Sequence, residues 1–283
     1  MIRALRSSFF RFFSTGLFIK SLIFSVILAF FQIFRTCTEE LGLLPFQQPR
    51  YINNTFIMMN MLSLLYVVPF GIAIFASIHT GSDIQFRSIN NKITTGVSRT
   101  SILLSDLIVT VLTAEFSILL QMVIFYLYAR FVPVKSNISV SGVIINSTLC
   151  IMVICAAFCA VYVLLQIFSS NKLLALIITL LIIPALIVST QLMESKLDEP
   201  YRLYQYEEDE NGEAKVTGWT VNPNYIGGTP RTILKFVYDT SPYSFYFFES
   251  DKVSLKTETE AAGIVFLAAT ALGVLSINKK EYP

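Results

Sequence analysis

The sequence predicts an all-α membrane protein. It would have six transmembrane helices, an N-terminal amphipathic helix at the interface, a short cytoplasmic helix between spans two and three, and a small outer segment between spans five and six. Three observations carry this. Only 14% of the 283 residues are charged and 54% are hydrophobic, whereas about a quarter of an ordinary soluble domain is charged. Mean hydropathy is +0.64. Six runs reach the length of about 20 mainly apolar residues that a crossing helix needs, and a soluble helical core has no room in this chain to hide six.

The N-terminal segment, residues 1–14, interleaves Arg3, Arg6 and Arg11 with phenylalanines. No small-residue cleavage site follows the first apolar run, so it does not read as a cleavable signal. On a helical wheel Leu5, Phe9, Phe12 and Phe13 share one side with the arginines opposite, which suits a helix in the headgroup plane. The competing reading is that these residues extend the first span.

The spans run over 17–34, 56–78, 102–132, 143–168, 173–193 and 261–277. The third is longer than a bilayer requires and is expected to tilt or protrude. Pro184 lies inside the fifth, where a missing N–H should kink it. Cys150, Cys155 and Cys159 share the fourth run and Cys37 stands apart; no spacing resembles a metal site, and the three read as small buried apolar groups. The single histidine, His79, reads as interfacial at a helix end.

Basic residues in short loops favour the cytoplasm. Arg3, Arg6 and Arg11, then Arg87, Lys92 and Arg99 against Asp83, then Lys172, then Lys279 and Lys280 all fall on one side of a six-span frame. Both termini are therefore expected to be cytoplasmic. The opposite side holds residues 194–260, with thirteen acids against seven bases. There EEDENGE (207–213) reads as a turn joining two short strands around RLYQY and KVTGW, and Ile233, Leu234 and Val237 lie at helical spacing. A calcium role for the acidic turn is less expected than simple solvation.

Residues 80–101 contain the loop between spans two and three. Phe86, Ile89, Ile93 and Val97 follow at spacings of three, four and four, one face of a short helix. Gln85, Arg87, Asn91, Lys92 and Thr95 form the other. Gly96 then breaks the helix, and Ser98 or Ser101 is placed to cap the next span. The polar face suits either anionic headgroups or a cytoplasmic protein, and periodicity does not choose between them.

Motifs for catalysis are missing. There is no phosphate-binding G-x-x-x-x-G-K-[ST], no H-E-x-x-H and no G-x-S-x-G, so ATP hydrolysis by a phosphate loop and the common hydrolytic chemistries are not expected, nor a cofactor on this chain. Glu115 is the one carboxylate deep within a span, and Gln121 follows six positions on. A charge there costs on the order of 3 kcal/mol and usually faces a bundle interior or water. A helix–helix contact is the leading reading, with a place on a translocation path as the alternative.

GSDIQFRSINNKITTGVSRTSILLSDLI, residues 81–108, resembles the permease subunit of type-2 ABC transporters, in which an acidic–aromatic element is followed by K-x-x-x-x-G-x-S-R-x-x-x-x-x-[SG]-K. Gly96, Ser98, Arg99 and Ser105 match that pattern, and Lys92 stands one position nearer the glycine than the pattern's lysine. NPNYIGGTPRTILKFVYDTSP (222–242) is similar to the family's outer segment, and INKKEYP to its basic ending. The sequence departs at Asp106, where the family has lysine, and offers Asp83 or Gln85 where it commonly has glutamate. The resemblance implies six membrane helices in a homodimer or a pair with a sister permease, within the bacterial plasma membrane. ATP and magnesium would be bound by a separate cytoplasmic ATPase dimer. It also makes residues 86–97 the coupling helix, with Phe86, Arg87, Ile89, Lys92, Ile93, Gly96, Val97 and Arg99 as the ATPase interface. The implied cargo is a peptide, bacteriocin, drug, glycan or lipid-like molecule. A non-transporting sensor or immunity protein that binds a peptide through its outer segment is the second reading, a passive channel the third. Nothing points to nucleic acid.

Overall fold

The computed structural model describes residues 1–35, 52–53, 60–85, 88–131, 136–137, 142–169, 171–208, 214–244 and 255–279. It is mostly helical, and six helices are long and apolar enough to cross a membrane: Leu17–Phe34, Asn60–Gln85, Arg99–Tyr128, Ile145–Ser169, Lys172–Leu197 and Lys256–Lys279. They coincide with the six expected runs. The chain is a multi-pass membrane protein by this criterion.

Helix α1 (Ile2–Ser14) is separate from α2 (Leu17–Arg35). The break is at Gly16, whose φ of 68° is a left-handed conformation that a Cβ disfavours. So residues 1–14 are not an extension of the first span. The face that α1 buries also differs from the expected wheel. Ala4, Ser8 and Phe12 are buried, whereas Phe10 and Phe13 are exposed. Arg11 does not join Arg3 and Arg6 outside; its side chain is 23% exposed and turns inward.

Span two is composite. A 3₁₀ turn at Ser63–Tyr66 leads into α3 (Val68–Ala76), then a π turn at Ser77–Gly81, then α4 (Ser82–Gln85). Helix α5 (Ser88–Thr94) follows, and α6 (Arg99–Phe131) is the long third span. Helix α7 (Gly142–Ser169) is the fourth, α8 (Lys172–Leu197) the fifth, and helical structure runs through Pro184. The Oδ1 of Asn171 caps α8 by accepting from the N–H groups of Leu173 (3.0 Å) and Leu174 (3.3 Å).

Helix α7 is the centre of the bundle. Cys150, Cys155 and Cys159 are buried on it, as expected, and Cys37 lies outside the described residues. Small side chains there let neighbouring backbones approach, which is how helices pack where lipid removes the hydrophobic drive. By contrast α2 and α8 expose apolar stripes, Ile19, Ile23 and Ile27 on one and Ile177, Leu181 and Val188 on the other, as lipid-facing surfaces do.

Between spans five and six, β3 (Arg202–Glu208) pairs antiparallel with β4 (Ala214–Val221); two-residue pieces β1 (Ile52–Asn53) and β2 (Ser136–Asn137) pair in parallel elsewhere. The two strands stand where RLYQY and KVTGW were expected, and residues 209–213 of the expected turn lie outside the described residues. Helix α9 (Gly228–Asp239) is the expected amphipathic helix, and α10 (Leu255–Lys279) is the sixth span. This segment does more than cap the bundle. Arg231 Nη2 donates to the carbonyl of Leu197 at 2.5 Å, at the end of span five. Just past α9, Ser241 bonds Thr190, seven residues or about 10 Å further down that helix. Tyr243 then donates to the carbonyl of Leu65 at 3.0 Å, and Ser244 to Glu258 at 3.1 Å, so the chain re-enters between spans two, five and six.

Candidate functional site

The most concentrated polar chemistry lies at the end of the bundle that carries the N-terminus, where α1, the lower half of span two, α5 and the start of α6 meet. Each contributes a charged or hydroxyl group. Ser8 and Arg11 lie one turn apart on α1, where i and i+3 side chains share a face. The π turn of span two presents His79, and Asp83 follows on α4. Helix α5 adds Ser88 and Lys92, while α6 adds Ser105 and Asp106 about two turns inside its end.

Two carboxylates organise these groups. Asp83 is ion-paired with Arg11 Nη1 and with Lys92 Nζ at 2.6 Å, and accepts from Ser88 Oγ at 2.6 Å. Asp106 accepts from Ser8 Oγ at 2.7 Å and faces Arg11 Nη2 at 3.4 Å; Ser8 also meets Ser105 Oγ at 3.1 Å. The Arg11 fork therefore bridges both acids, geometry that a guanidinium provides and an ammonium does not. His79 Nε2 lies 3.2 Å from Arg11 Nη2 and 3.7 Å from Asp106 Oδ1. Accepting from a guanidinium requires a free lone pair on that nitrogen, so the imidazole in this arrangement is neutral. Its ring stacks on Phe75, with centroids 5.5 Å apart.

With a neutral histidine, two cations face two anions and the cluster carries no net charge. Asp106 and His79 are both 1% exposed and Asp83 is 5% exposed. Burial holds the pKa values of Arg11 and Lys92 below their usual ranges, the nearby Asp106 opposing the shift in both. Contact distances are those of charged pairs. Such a cluster is weak evidence for net stability but strongly penalises the loss of one member. What it does is fix four elements in one relative position.

A second tie closes the other end of the loop. Arg99 Nη1 donates to the carbonyls of Ile277 (3.4 Å) and Asn278 (3.3 Å), and Thr100 bonds the Asn278 side chain. Lys172, in the turn between spans four and five, reaches Ser82 Oγ at 3.1 Å. Residues 82–101 are thus strapped to α1, to the turn before α8 and to the end of α10. Between the ties, α5 ends at Gly96, with φ 84°. The N–H groups of Gly96 and Val97 return to the carbonyls of Ile93 and Lys92, and Ser98 Oγ accepts from the N–H of Ser101 at 3.3 Å, capping α6.

The expected coupling residues divide. Ile89 is buried, and Ile93 and Val97 pack on the core, the apolar face read from the sequence. Phe86 and Arg87 lie outside the described residues. Lys92 departs from expectation, since it turns into the cluster. Among the described residues of 88–98, the exposed ones are Asn91, Thr94, Thr95, Gly96 and Ser98, polar and uncharged. Glu115 is half-buried on α6 and Gln121 fully buried. Neither Oε2 of Glu115 nor the amide of Gln121 has a hydrogen-bond partner among the described residues, and the two are not brought together.

Compared with protein-family models, curated proteins and solved structures, the chain matches none.

Reading the sequence singled out Asp83, His79 and Asp106 separately but not as one site, and missed Ser8, Ser88 and the inward turn of Arg11. His79 is buried rather than interfacial. A usable signal was present. Asp106 lies seven residues inside α6, and a buried carboxylate needs a cation, which only α1, the adjacent loop or the next turn had to offer. The π turn that aims His79 at it leaves no sequence mark, although such insertions cluster at functional sites. Among the described residues no group of His, Cys, Asp and Glu is arranged to hold a metal.

Proposed function

We propose that this chain is the membrane-spanning permease subunit of an ATP-driven exporter in the plasma membrane of a bacterium, with both termini cytoplasmic and the ATP hydrolysed by a separate ATPase bound beneath residues 88–101. The observation that carries this reading is the strapped loop. Among the described residues its charged side chains, Asp83, Lys92 and Arg99, are spent on ties to α1, span two and α10, and the exposed side chains over 88–98 are polar and uncharged. A push on that surface is passed to four elements at once, because bonded and packed groups move together and do not yield continuously. A loop serving only to connect two spans has no need of ties at both ends. The resemblance of residues 81–108 to the family's coupling segment agrees, as does the absence of a phosphate loop, which requires another chain to supply the energy. The second permease is a copy of this chain or a sister subunit, and the cargo class is an amphipathic or apolar molecule.

The test asks first whether a neighbouring reading frame encodes a phosphate-loop ATPase, the lack of which counts against this reading, and then reconstitutes that ATPase with this chain. Asn91→Trp and Thr95→Trp change the exposed surface without touching the ties. They are expected to weaken ATPase capture at least tenfold while thermal stability stays at the parental value. Capture and stimulated hydrolysis at parental strength would overturn the coupling role. The outer hairpin supports one other reading. Tyr201, Tyr204 and Trp219 are about half exposed on it, with Arg202 over the Trp219 ring at 4.3 Å, a surface suited to a peptide ligand. In a sensor of that kind no ATPase would bind.

A further inference from the structure

A groove of about 230 Å³ opens sideways from the bundle between α2, α3 and α6. Phe24 on α2, Val68 and Gly71 on α3 and Ala114 on α6 form its walls, and Phe24 leans over Gly71, where any Cβ would strike the ring. The hydroxyls along it are already spent. Ser21 donates to the carbonyl of Phe18 at 2.8 Å, Thr110 to that of Asp106 at 2.8 Å and Thr113 to that of Val109 at 2.7 Å, while Ser117 pairs with Ser25. Apart from Lys20, the groove therefore offers its occupant mainly carbon and no free hydroxyl donor. A peptide would leave its backbone unsatisfied there, at a cost of several kcal/mol for each group. A hydrocarbon chain needs nothing more.

One charge stands at the groove. Lys20 lines it, is exposed and has no ion pair among the described residues. It lies three residues past Leu17, where α2 begins, about 5 Å from the helix end. From that depth a lysine reaches the headgroup plane by extending its stem. The remaining lining runs deeper, from Thr110 to Ser117 along about 10 Å of α6. An apolar cavity of about 150 Å³ takes up benzene, so by that scale the groove holds about nine carbons.

We propose that this groove binds one acyl chain of an anionic phospholipid from the leaflet on the N-terminal side, with the lipid phosphate on Lys20. The acyl chain fills a space whose walls otherwise lack dispersion contacts on one side. The ammonium supplies the headgroup preference. Neither the groove nor Lys20 belongs to the strapped loop, so lipid binding holds whether or not the chain exports a cargo.

The full chain, purified and stripped of lipid in detergent, is titrated with dioleoyl phosphatidylglycerol or dioleoyl phosphatidylcholine and the bound lipid counted by mass spectrometry of the intact complex. One phosphatidylglycerol per chain is expected, preferred about fivefold over phosphatidylcholine, the preference one basic residue near a lipid surface confers. Lys20→Gln removes that preference, so that the two lipids then bind with equal affinity. Ile78→Trp, at a groove position that is 40% exposed and so free of core strain, lowers the affinity for both lipids at least fivefold. The proposal is overturned if the parent shows no preference, if the preference survives Lys20→Gln, or if Ile78→Trp binds both lipids at parental strength.

Discussion

Replacing Arg11 by methionine should detach α1 from the bundle. Asp83 would keep Lys92 and Ser88, each at 2.6 Å. Asp106 would keep only Ser8 at 2.7 Å, and it is 1% exposed. Breaking a buried pair by removing one partner costs about 3–5 kcal/mol. The lower end, about 3 kcal/mol, applies because Ser8 still donates to Asp106 once the guanidinium is gone. Nearly all of that loss falls on the closed position of α1, where the Ser8 contacts with Asp106 and Ser105 are the hydrogen bonds that remain. At 1.4 kcal/mol for each factor of ten, the open fraction rises about a hundredfold.

The opening is read with a cysteine at Ala4, which is 3% exposed against the bundle, in a chain whose Cys37 is serine; the other three thiols are buried. Labelling by a charged maleimide tracks the open population when closing outpaces labelling. Arg11→Met should label about a hundredfold faster than the parent. Adding Asp106→Asn should restore most of the protection, because no uncompensated charge is then left inside. Arg11→Lys should fall between, since an ammonium does not fork across two carboxylates. Labelling of Arg11→Met within about threefold of the parent would refute the claim that this cluster holds α1.

Three further outcomes are expected. Gly96→Ala should cost about 1 kcal/mol through its φ of 84° alone, since a Cβ there meets nothing within 4 Å, and Gly96→Asn should cost less because asparagine tolerates that conformation; thermal unfolding in detergent compares them. Gly81→Ala should lower the melting temperature, because its Cβ would press on Gln166 Oε1, and Gln166→Ala should relieve most of that loss, the non-additivity expected of touching groups. Asn171→Ala should cost about 1 kcal/mol, the usual value of a helix N-cap, and equal destabilisation by Asn171→Ser would count against the cap as its cause.

Much of the architecture was legible because lipid imposes a coarse rule. A run such as Leu17–Phe34 has no alternative to a spanning helix once water is absent, and the six runs were placed by length and composition. The apolar face of α5 at Ile89, Ile93 and Val97, the Gly96 break, the cap at Ser98 and the hairpin at 202–221 also followed from local pattern and turn chemistry. The polar site did not. Helical wheels sort residues by affinity for water, so Arg11 and Lys92 were assigned outward with Arg3 and Arg6. A buried cation is set by what lies opposite it, and Asp83 and Asp106 arrive from helices with no fixed sequence distance to α1.

The six-span frame, the break between α1 and α2, and the strand–turn–strand–helix order of the outer segment belong to the sequence, because each depends on residues within a few turns of one another. The tertiary structure decided that Arg11 bridges two acids, that Lys92 faces inward while the exposed residues over 88–98 are neutral, that the chain past α9 re-enters beside Thr190, and that a groove remains beside Lys20. Those outcomes depend on which helix faces come together. They also depend on the π turn at Ser77–Gly81, which aims His79 at Asp106 and is produced by packing, not by any residue that announces it.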